Sequence, residues 1–167
     1  MATNWHNDDG LYIKFGRNEG TGVTGGEVPG NHAGPNKVAE QVITLTSLGS
    51  ASTILNDAVL IPAGARIEKV QIITDTLATS DGSATLNVGL IREDRSTTYD
   101  ADGFVVQAAL TTIDAAGETT DYVEGSTAHG ALIGTTLAYA GRLVADYDAA
   151  AYTAGVIRVR IHYYQAS

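Results

Sequence analysis

The sequence predicts an all-β protein, a β-sandwich or jelly roll of about eight antiparallel strands that follows an extended glycine-rich N-terminal arm. Three observations lead to this prediction. Residues that favour strands, such as Thr, Val and Ile, are abundant, whereas Lys, Glu and Met are scarce. Short runs of alternating apolar and polar residues recur along the chain. Clusters of Gly, Asp and Ser, which favour turns, separate these runs.

The clearest pattern lies in the segment from Ile61 to Ile91. Two strand-like runs, Arg66–Thr74 and Ala84–Ile91, are separated by the turn residues Ser80–Ser83. In the second run every other residue is apolar, as in a strand with one buried face. In the first run Ile67 is out of phase with Val70, Ile72 and Thr74, which indicates a bulge or the end of strand pairing near Glu68 and Lys69. We interpret the two runs as a hairpin that packs on a second sheet.

Other segments show a weaker version of the same signal. Further strands are predicted at Val38–Thr46, Thr53–Ile61, Ala131–Ala138, Arg142–Tyr147 and Ile157–Tyr164. Phe104–Leu110 fits either a strand or a short helical turn. The segments interpreted as turns or connectors are Arg92–Gly103, Thr111–Thr119 and Asp148–Ala154.

The closing strand separates its two faces most sharply. Its apolar face consists of Ile157, Val159, Ile161 and Tyr163, and its polar face of Arg158, Arg160, His162 and Tyr164. An ordinary exposed face explains the polar row, since charged residues also protect a sheet edge from aggregation. A subunit contact explains it as well, because Arg and Tyr are enriched at protein interfaces.

Residues 1–36 are interpreted as an arm and residues 37–167 as the sandwich domain. The segment Gly16–Pro35 is too rich in Gly to bury a core of its own. Before it lies an apolar patch that we expect to contact another protein or a sister subunit, formed by Trp5, Leu11, Tyr12, Ile13 and Phe15. Alternatively, Leu11–Phe15 adds an edge strand to its own domain, and a strand swap within a trimer would satisfy both interpretations.

Charge and composition exclude several classes of function. The formal net charge is −9, which argues against binding to a nucleic-acid backbone. There is no Cys, so neither disulfides nor thiolate metal sites are expected. The N-terminus lacks the pattern of a signal peptide, and no apolar run is long enough to span a membrane.

The motif search finds no catalytic or cofactor site. Gly20–Gly25 matches G-x-G-x-x-G, but more Gly and then Pro29 follow where a helix would have to begin. Asp100–Gly103 suggests calcium, yet it lacks the remaining oxygen ligands, and a turn explains it equally well. The four histidines have no metal-pair spacing. We therefore expect neither an enzyme nor a bound metal or cofactor.

Several segments resemble the capsid decoration (cement) proteins of tailed bacteriophages. The resemblance is carried by Val59–Ile67, Ser83–Gly89, Thr112–Gly117 and Ile157–Tyr164, and also by Asp9–Gly16 in the arm. It implies a β-sandwich or jelly roll that is usually trimeric. Such a protein would lie on the outside of an icosahedral head and connect neighbouring major capsid proteins, without catalytic residues.

A carbohydrate-binding or receptor-binding virion domain is the alternative, because jelly rolls also bind sugars. Its binding platform would be sought among five tyrosines in or near predicted loops. They are Tyr99, Tyr122, Tyr139, Tyr147 and Tyr152.

Overall fold

The computed structural model describes residues 4–6, 12–14, 36–55, 58–95 and 97–165. Strands dominate these residues, together with two short 3-10 turns at Leu45–Ser47 and Leu110–Thr112. The strands are β1 Asn4–His6, β2 Tyr12–Lys14, β3 Asn36–Thr44, β4 Thr53–Ile54, β5 Leu60–Ile61, β6 Arg66–Ser80, β7 Thr85–Arg92, β8 Thr98–Ala109, β9 Thr119–Val123, β10 Gly141–Asp148 and β11 Tyr152–Tyr164. Within the described residues, no helix has the length and apolar character needed to cross a membrane.

Strands β3 to β11 form two antiparallel sheets, as predicted. One sheet has the order β3-β11-β6-β9, and the other β4-β10-β7-β8, with β5 paired to the same strand β10 as β4. If β4 and β5 count as one position, the eight positions follow the orders 1-8-3-6 and 2-7-4-5. This interleaving of early and late strands is the jelly-roll order of a double-sheet sandwich.

The core lies between the two sheets, and β11 shows how the sequence builds it. Alternate residues of β11 from Ile157 to Tyr163 are buried, and they join apolar side chains of β7 and β10 in one cluster. β11 pairs with β3 on one side and β6 on the other. The apolar row predicted from the sequence therefore forms part of the sandwich core.

The expected hairpin between Arg66–Thr74 and Ala84–Ile91 is wrong, although both segments are strands. β6 pairs with β11 and β9, whereas β7 pairs with β10 and β8, so the chain crosses between sheets after Ser80. The predicted bulge is confirmed. His162 pairs with Lys69 and Tyr163 with Ile67, so Glu68 is the extra residue.

Strand β7 is buried on both faces because β8 bends over it. Val88 pairs with Val105, and Leu90 pairs with Asp100. β7 thus advances by two residues where β8 advances by five, so β8 has extra residues at this point. The extra residues of β8 lie so close to Gly89 that a Cβ there would be 2.1 Å from the carbonyl oxygen of Asp100. The outer face of β7 is thus covered by its own neighbour.

Asn87, on that same outer face, is 8% exposed and fully hydrogen-bonded. Its Nδ2 donates to Asp146 Oδ1 at 2.7 Å and to Asp148 Oδ2 at 2.9 Å. Its Oδ1 accepts a hydrogen bond from the backbone N of Gln107 at 2.8 Å. These bonds compensate the cost of burying the amide and connect β7 to β10 and β8.

Other predicted boundaries differ from the structure. Ala131–Ala138 is not a strand but a series of turns that carry Ile133 and Leu137 into the core. Thr53–Ile61 contains two short strands rather than one. Thr98–Gly103, predicted as part of a connector, belongs to β8. β9 begins at Thr119, the last residue of the segment predicted as a turn.

Gln107 has a φ of 48°, a left-handed conformation, at a one-residue bulge of β8. Because this conformation costs a residue with a Cβ about 1 kcal/mol, we expect Gln107→Gly to stabilise the fold by about 0.5–1 kcal/mol. Chemical denaturation measures the change. Gln107→Ala is the matched control, since it keeps the Cβ and should give no gain. A glycine variant no more stable than the alanine variant would contradict the expectation.

Candidate contact surface

The outer face of the sheet β3-β11-β6-β9 carries the polar row predicted from the closing strand. Alternation along β11 places Arg158, Arg160, His162 and Tyr164 on this face, because the residues between them are buried. The neighbouring strands contribute side chains from directly opposite positions. Val42 and Glu40 of β3 lie opposite Arg158 and Arg160. The face is therefore assembled from the pairing of several strands.

Arg158 is ion-paired within this face. Its Nη2 donates to Asp75 Oδ1 at 2.8 Å and Oδ2 at 3.0 Å, and its Nε lies 3.7 Å from Glu40 Oε1. The hydrogen bonds to Asp75, followed by the charges of Asp75 and Glu40, raise the pKa of Arg158. Its positive charge is therefore matched before any partner arrives.

Two further ion pairs cross the strands. Arg160 Nε donates to Glu40 Oε2 on β3. At the other edge of the same face, Asp121 of β9 accepts hydrogen bonds from Gln71 Nε2 at 2.7 Å and from Lys69 Nζ at 3.3 Å. The hydrogen bond from Gln71, followed by that from Lys69, lowers the pKa of Asp121. Such partly exposed pairs add little stability, but they reduce the net charge of the surface.

His162 and Tyr164 differ from the two arginines. His162 is half-buried, and burial, followed by the positive charge of Lys69, lowers the pKa of its imidazole. It is therefore neutral at pH 7. Its Nε2 is buried and has no hydrogen-bond partner within the described part of the chain. Tyr164 is 39% exposed at the end of the row.

Apolar side chains are exposed beside these pairs. Val42 is 52% exposed and Val123, at the opposite edge strand, is 41% exposed. Single exposed apolar residues are normal, but here they share a face with matched charges and an exposed tyrosine. That combination suits a protein contact, since partners need not desolvate unpaired charges.

The sequence identified the row on β11 but not its acidic partners Glu40 and Asp75, nor Asp121, which pairs with Lys69 of β6. Glu40 lies in a predicted strand, so its alternation with Ala39 could have placed it on the face opposite to the core. Which residue it opposes depends on strand order and register, and neither can be obtained from one sequence.

In the arm, the structure brings two short strands together. β1 and β2 pair antiparallel, with Asn4 opposite Lys14, Trp5 opposite Ile13 and His6 opposite Tyr12. Three of the five predicted arm contacts, Trp5, Tyr12 and Ile13, thus belong to one small sheet. The other two, Leu11 and Phe15, lie outside the described residues, as does the Gly-rich segment from Gly16 to Pro35.

The five tyrosines of the carbohydrate alternative separate into two groups. Tyr122 and Tyr152 are buried in the core, and burial raises the pKa of both phenols. Tyr147 packs edge-on against Tyr152. Tyr99 and Tyr139 lie together at one end of the sandwich, with ring centroids 5.9 Å apart.

No metal centre is found among the described residues, because no three His, Asp or Glu side chains converge there. Asp100–Gly103, considered for calcium or a turn, lies within β8. Gly103 does not have a positive φ. Instead, Gly103 permits a close crossing, since a Cβ there would lie 2.8 Å from Asp100 Cγ and 2.5 Å from Leu132 Cδ1.

No protein-family model and no curated protein matches the sequence. Similar folds occur among solved structures of phage capsids. They include a chain of the acid-stable capsid of Helicobacter pylori bacteriophage KHP30 (TM-score 0.51, 18% identity, 79% of this chain and 89% of that one), a chain of the Ralstonia phage GP4 capsid (0.54, 21%, 87% and 94%) and a chain of the cyanophage Pam1 capsid asymmetric unit (0.53, 18%, 90% and 94%). At this level of identity the comparison concerns the fold. The chain shares its fold with chains found in three phage capsids.

Proposed function

We propose that this protein is a structural component of a phage virion, and not an enzyme, that binds the outer surface of the capsid and connects neighbouring major capsid proteins. The observation that carries the proposal is the shared fold. It extends over 79–90% of this chain and 89–94% of chains from three capsids. A fold alone does not determine function, so the surface must supply the rest of the argument.

The outer face of the sheet β3-β11-β6-β9 supports a role in protein contact. Its arginines are already paired with Asp75 and Glu40, and Val42 and Tyr164 are exposed beside them. A chain with a formal charge of −9 repels other acidic surfaces, and a face of matched charges weakens that repulsion locally. We assign Arg158, Arg160, His162 and Tyr164 to this contact.

The arm supplies the second part of the proposal. Its residues Trp5, Leu11, Tyr12, Ile13 and Phe15 would bind a groove or a sheet edge of the capsid or of a sister subunit. One arm of this size would bind weakly. A homotrimer presents three arms together, so the combined affinity exceeds that of each arm.

The test is sedimentation of the purified chain alone and mixed with undecorated phage heads, with and without residues 1–36. We expect the full chain to be a trimer that sediments with the heads, and the truncated chain to bind much more weakly. A full-length chain that stays in the supernatant at every ratio would overturn the proposal. Undiminished binding of the truncated chain would contradict the role of the arm.

A pair of charge variants tests the sheet face. Val42→Asp adds a negative charge to the proposed contact, whereas Ala131→Asp adds the same charge to an exposed loop residue elsewhere. We expect only the first to weaken head binding, by about tenfold or more. Equal binding by both variants would exclude this face as the contact.

A further inference from the structure

At one end of the sandwich, Tyr139 is held by a rigid loop with its side chain 49% exposed. Residues on both sides of it are hydrogen-bonded to residues within or directly next to β6, β7 and β8. Leu137 N donates to Ala65 O at 2.8 Å, Ala138 N donates to the hydroxyl of Tyr99 at 3.0 Å, and Glu93 N donates to Ala140 O at 3.2 Å. The aromatic ring is therefore positioned before any ligand binds, which lowers the entropic cost of binding.

Arg92, the last residue of β7, lies against this ring. Its guanidinium carbon is 3.9 Å from the centroid of the Tyr139 ring, a cation–π distance. The ion pairs among the described residues involve Lys69, Arg158 and Arg160, and none of them includes Arg92. Its Nε is buried without a hydrogen-bond partner in the described part of the chain. Arg92 is thus an oriented donor whose charge is not matched by a carboxylate there.

We infer that Arg92, Tyr99 and Tyr139 form a binding site for a carboxylated sugar residue. The exposed part of the Tyr139 ring offers an apolar surface for the C–H face of a pyranose. The guanidinium of Arg92 covers one face of the ring, so the sugar would pack against the rest of the ring. The Nη groups of Arg92 would donate two parallel hydrogen bonds to its carboxylate. Tyr99, packed edge-on at 90°, fixes the orientation of the platform.

The size of the site favours a sugar over a protein partner. One ring and one guanidinium match a single sugar unit, whereas a stable protein contact needs about 800 Å² on each side. The site shares no residue with the polar row of β11, so it adds to the proposed capsid function and does not depend on it. A virion protein with both would present a sugar-binding surface beside its capsid contact.

The experiment is an NMR titration of the full chain with trigalacturonic acid, and with maltotriose as the uncharged counterpart. We expect shifts confined to residues 92–99 and 137–140, with the acidic sugar binding more tightly. Tyr139→Ala should abolish these shifts and Arg92→Gln should weaken binding by about tenfold or more. The controls are Leu77→Ala, which removes an exposed apolar side chain from β6, and Lys37→Gln, which removes a positive charge from β3.

Three outcomes would overturn the assignment. They are no shift up to about 10 mM of either sugar, shifts that persist in Tyr139→Ala, or equal binding of both sugars that Arg92→Gln leaves unchanged. Circular dichroism checks that each variant folds. If Arg92→Gln does not fold, Arg92→Lys keeps the charge but loses the planar pair of donors, and it should also weaken binding.

Discussion

Gly89→Ala is expected to destabilise the protein by about 3 kcal/mol or more, because the added methyl group has no space. A Cβ at this position would lie 2.1 Å from the carbonyl oxygen of Asp100 and 2.4 Å from the carbonyl carbon of Ala101. Both are backbone atoms of β8, so no side-chain rotation relieves the overlap. Either β8 moves away from β7, or the pairing of both strands is disturbed.

Gly130 tests a second close approach, between its own loop and β8. A Cβ there would lie 2.1 Å from the carbonyl carbon of Gly103. Gly130 N also donates to Phe104 O, which holds the loop against β8. We expect Gly130→Ala to lower stability by a similar amount.

Urea denaturation measures both changes, and thermal melts should shift downward by roughly 6–12 °C for a chain of this size. The matched control is Gly49→Ala. A Cβ at Gly49 would be 3.4 Å from Thr53 Oγ1, an ordinary contact, and its φ is not positive. If Gly89→Ala stayed within 1 kcal/mol of the control, β8 would not cross β7 as closely as described.

Local alternation predicted strands well wherever their two faces lie in different environments. In β11 the buried and partly exposed rows alternate over most of its length, and the predicted rows match the structure. In β7 the same reasoning found only one buried face. On the other face, Asn87 and Gly89 are buried by residues of β8. This contact cannot be predicted from the pattern of residues within β7.

Long-range pairing explains the main errors. β6 and β7 are adjacent in sequence and joined by a short turn, which usually indicates a hairpin. In this jelly roll each pairs with strands from the last third of the chain, β10 or β11. Ile133 and Leu137 are buried like strand residues. The backbone around them, however, forms turns that make single hydrogen bonds to Ile67 and Ala65 and not a continuous strand.

The same limit applies to the candidate sites. The polar row on β11 was predictable because it lies on one strand. Arg92, Tyr99 and Tyr139 belong to β7, β8 and a loop, and only the folded chain brings them together. Tyr99 and Tyr139 were recognised as loop tyrosines, while no local feature singled out Arg92.

Asp100→Asn is expected to stabilise the protein at pH 8 and to leave its stability unchanged at pH 4. In the folded protein, burial, followed by a hydrogen bond and charge repulsion from Asp102, raises the pKa of Asp100 from 3.8 to about 6. Its carboxyl lies over Gly103, where β8 bends across β7. The ionised form of Asp100 is therefore less favourable in the folded protein than in the unfolded chain.

The direction of the pH effect follows from proton binding. Between pH 3.8 and 6 the folded state holds more protons at Asp100 than the unfolded state, so stability falls as the pH rises through this window. The contribution of protonated Asp100 is complete below about pH 3.8 and lost above about pH 6. Because Asp100 is partly exposed, solvent screening reduces the expected gain of the variant to about 1–2 kcal/mol at pH 8.

Denaturation curves of the wild type and Asp100→Asn at pH 4, 6 and 8 measure this difference. Asp102→Asn should give a smaller gain at pH 8, since it removes the charge that repels ionised Asp100 but leaves the burial of Asp100 unchanged. Asp114→Asn is the control for general charge, because it removes one negative charge from an exposed loop residue. Every other titrating group, including Asp121 with its lowered pKa, is common to all the proteins and cancels in the comparison. An Asp100→Asn gain of equal size at pH 4 and pH 8 would show that the asparagine packs better there, and would contradict the raised pKa of Asp100.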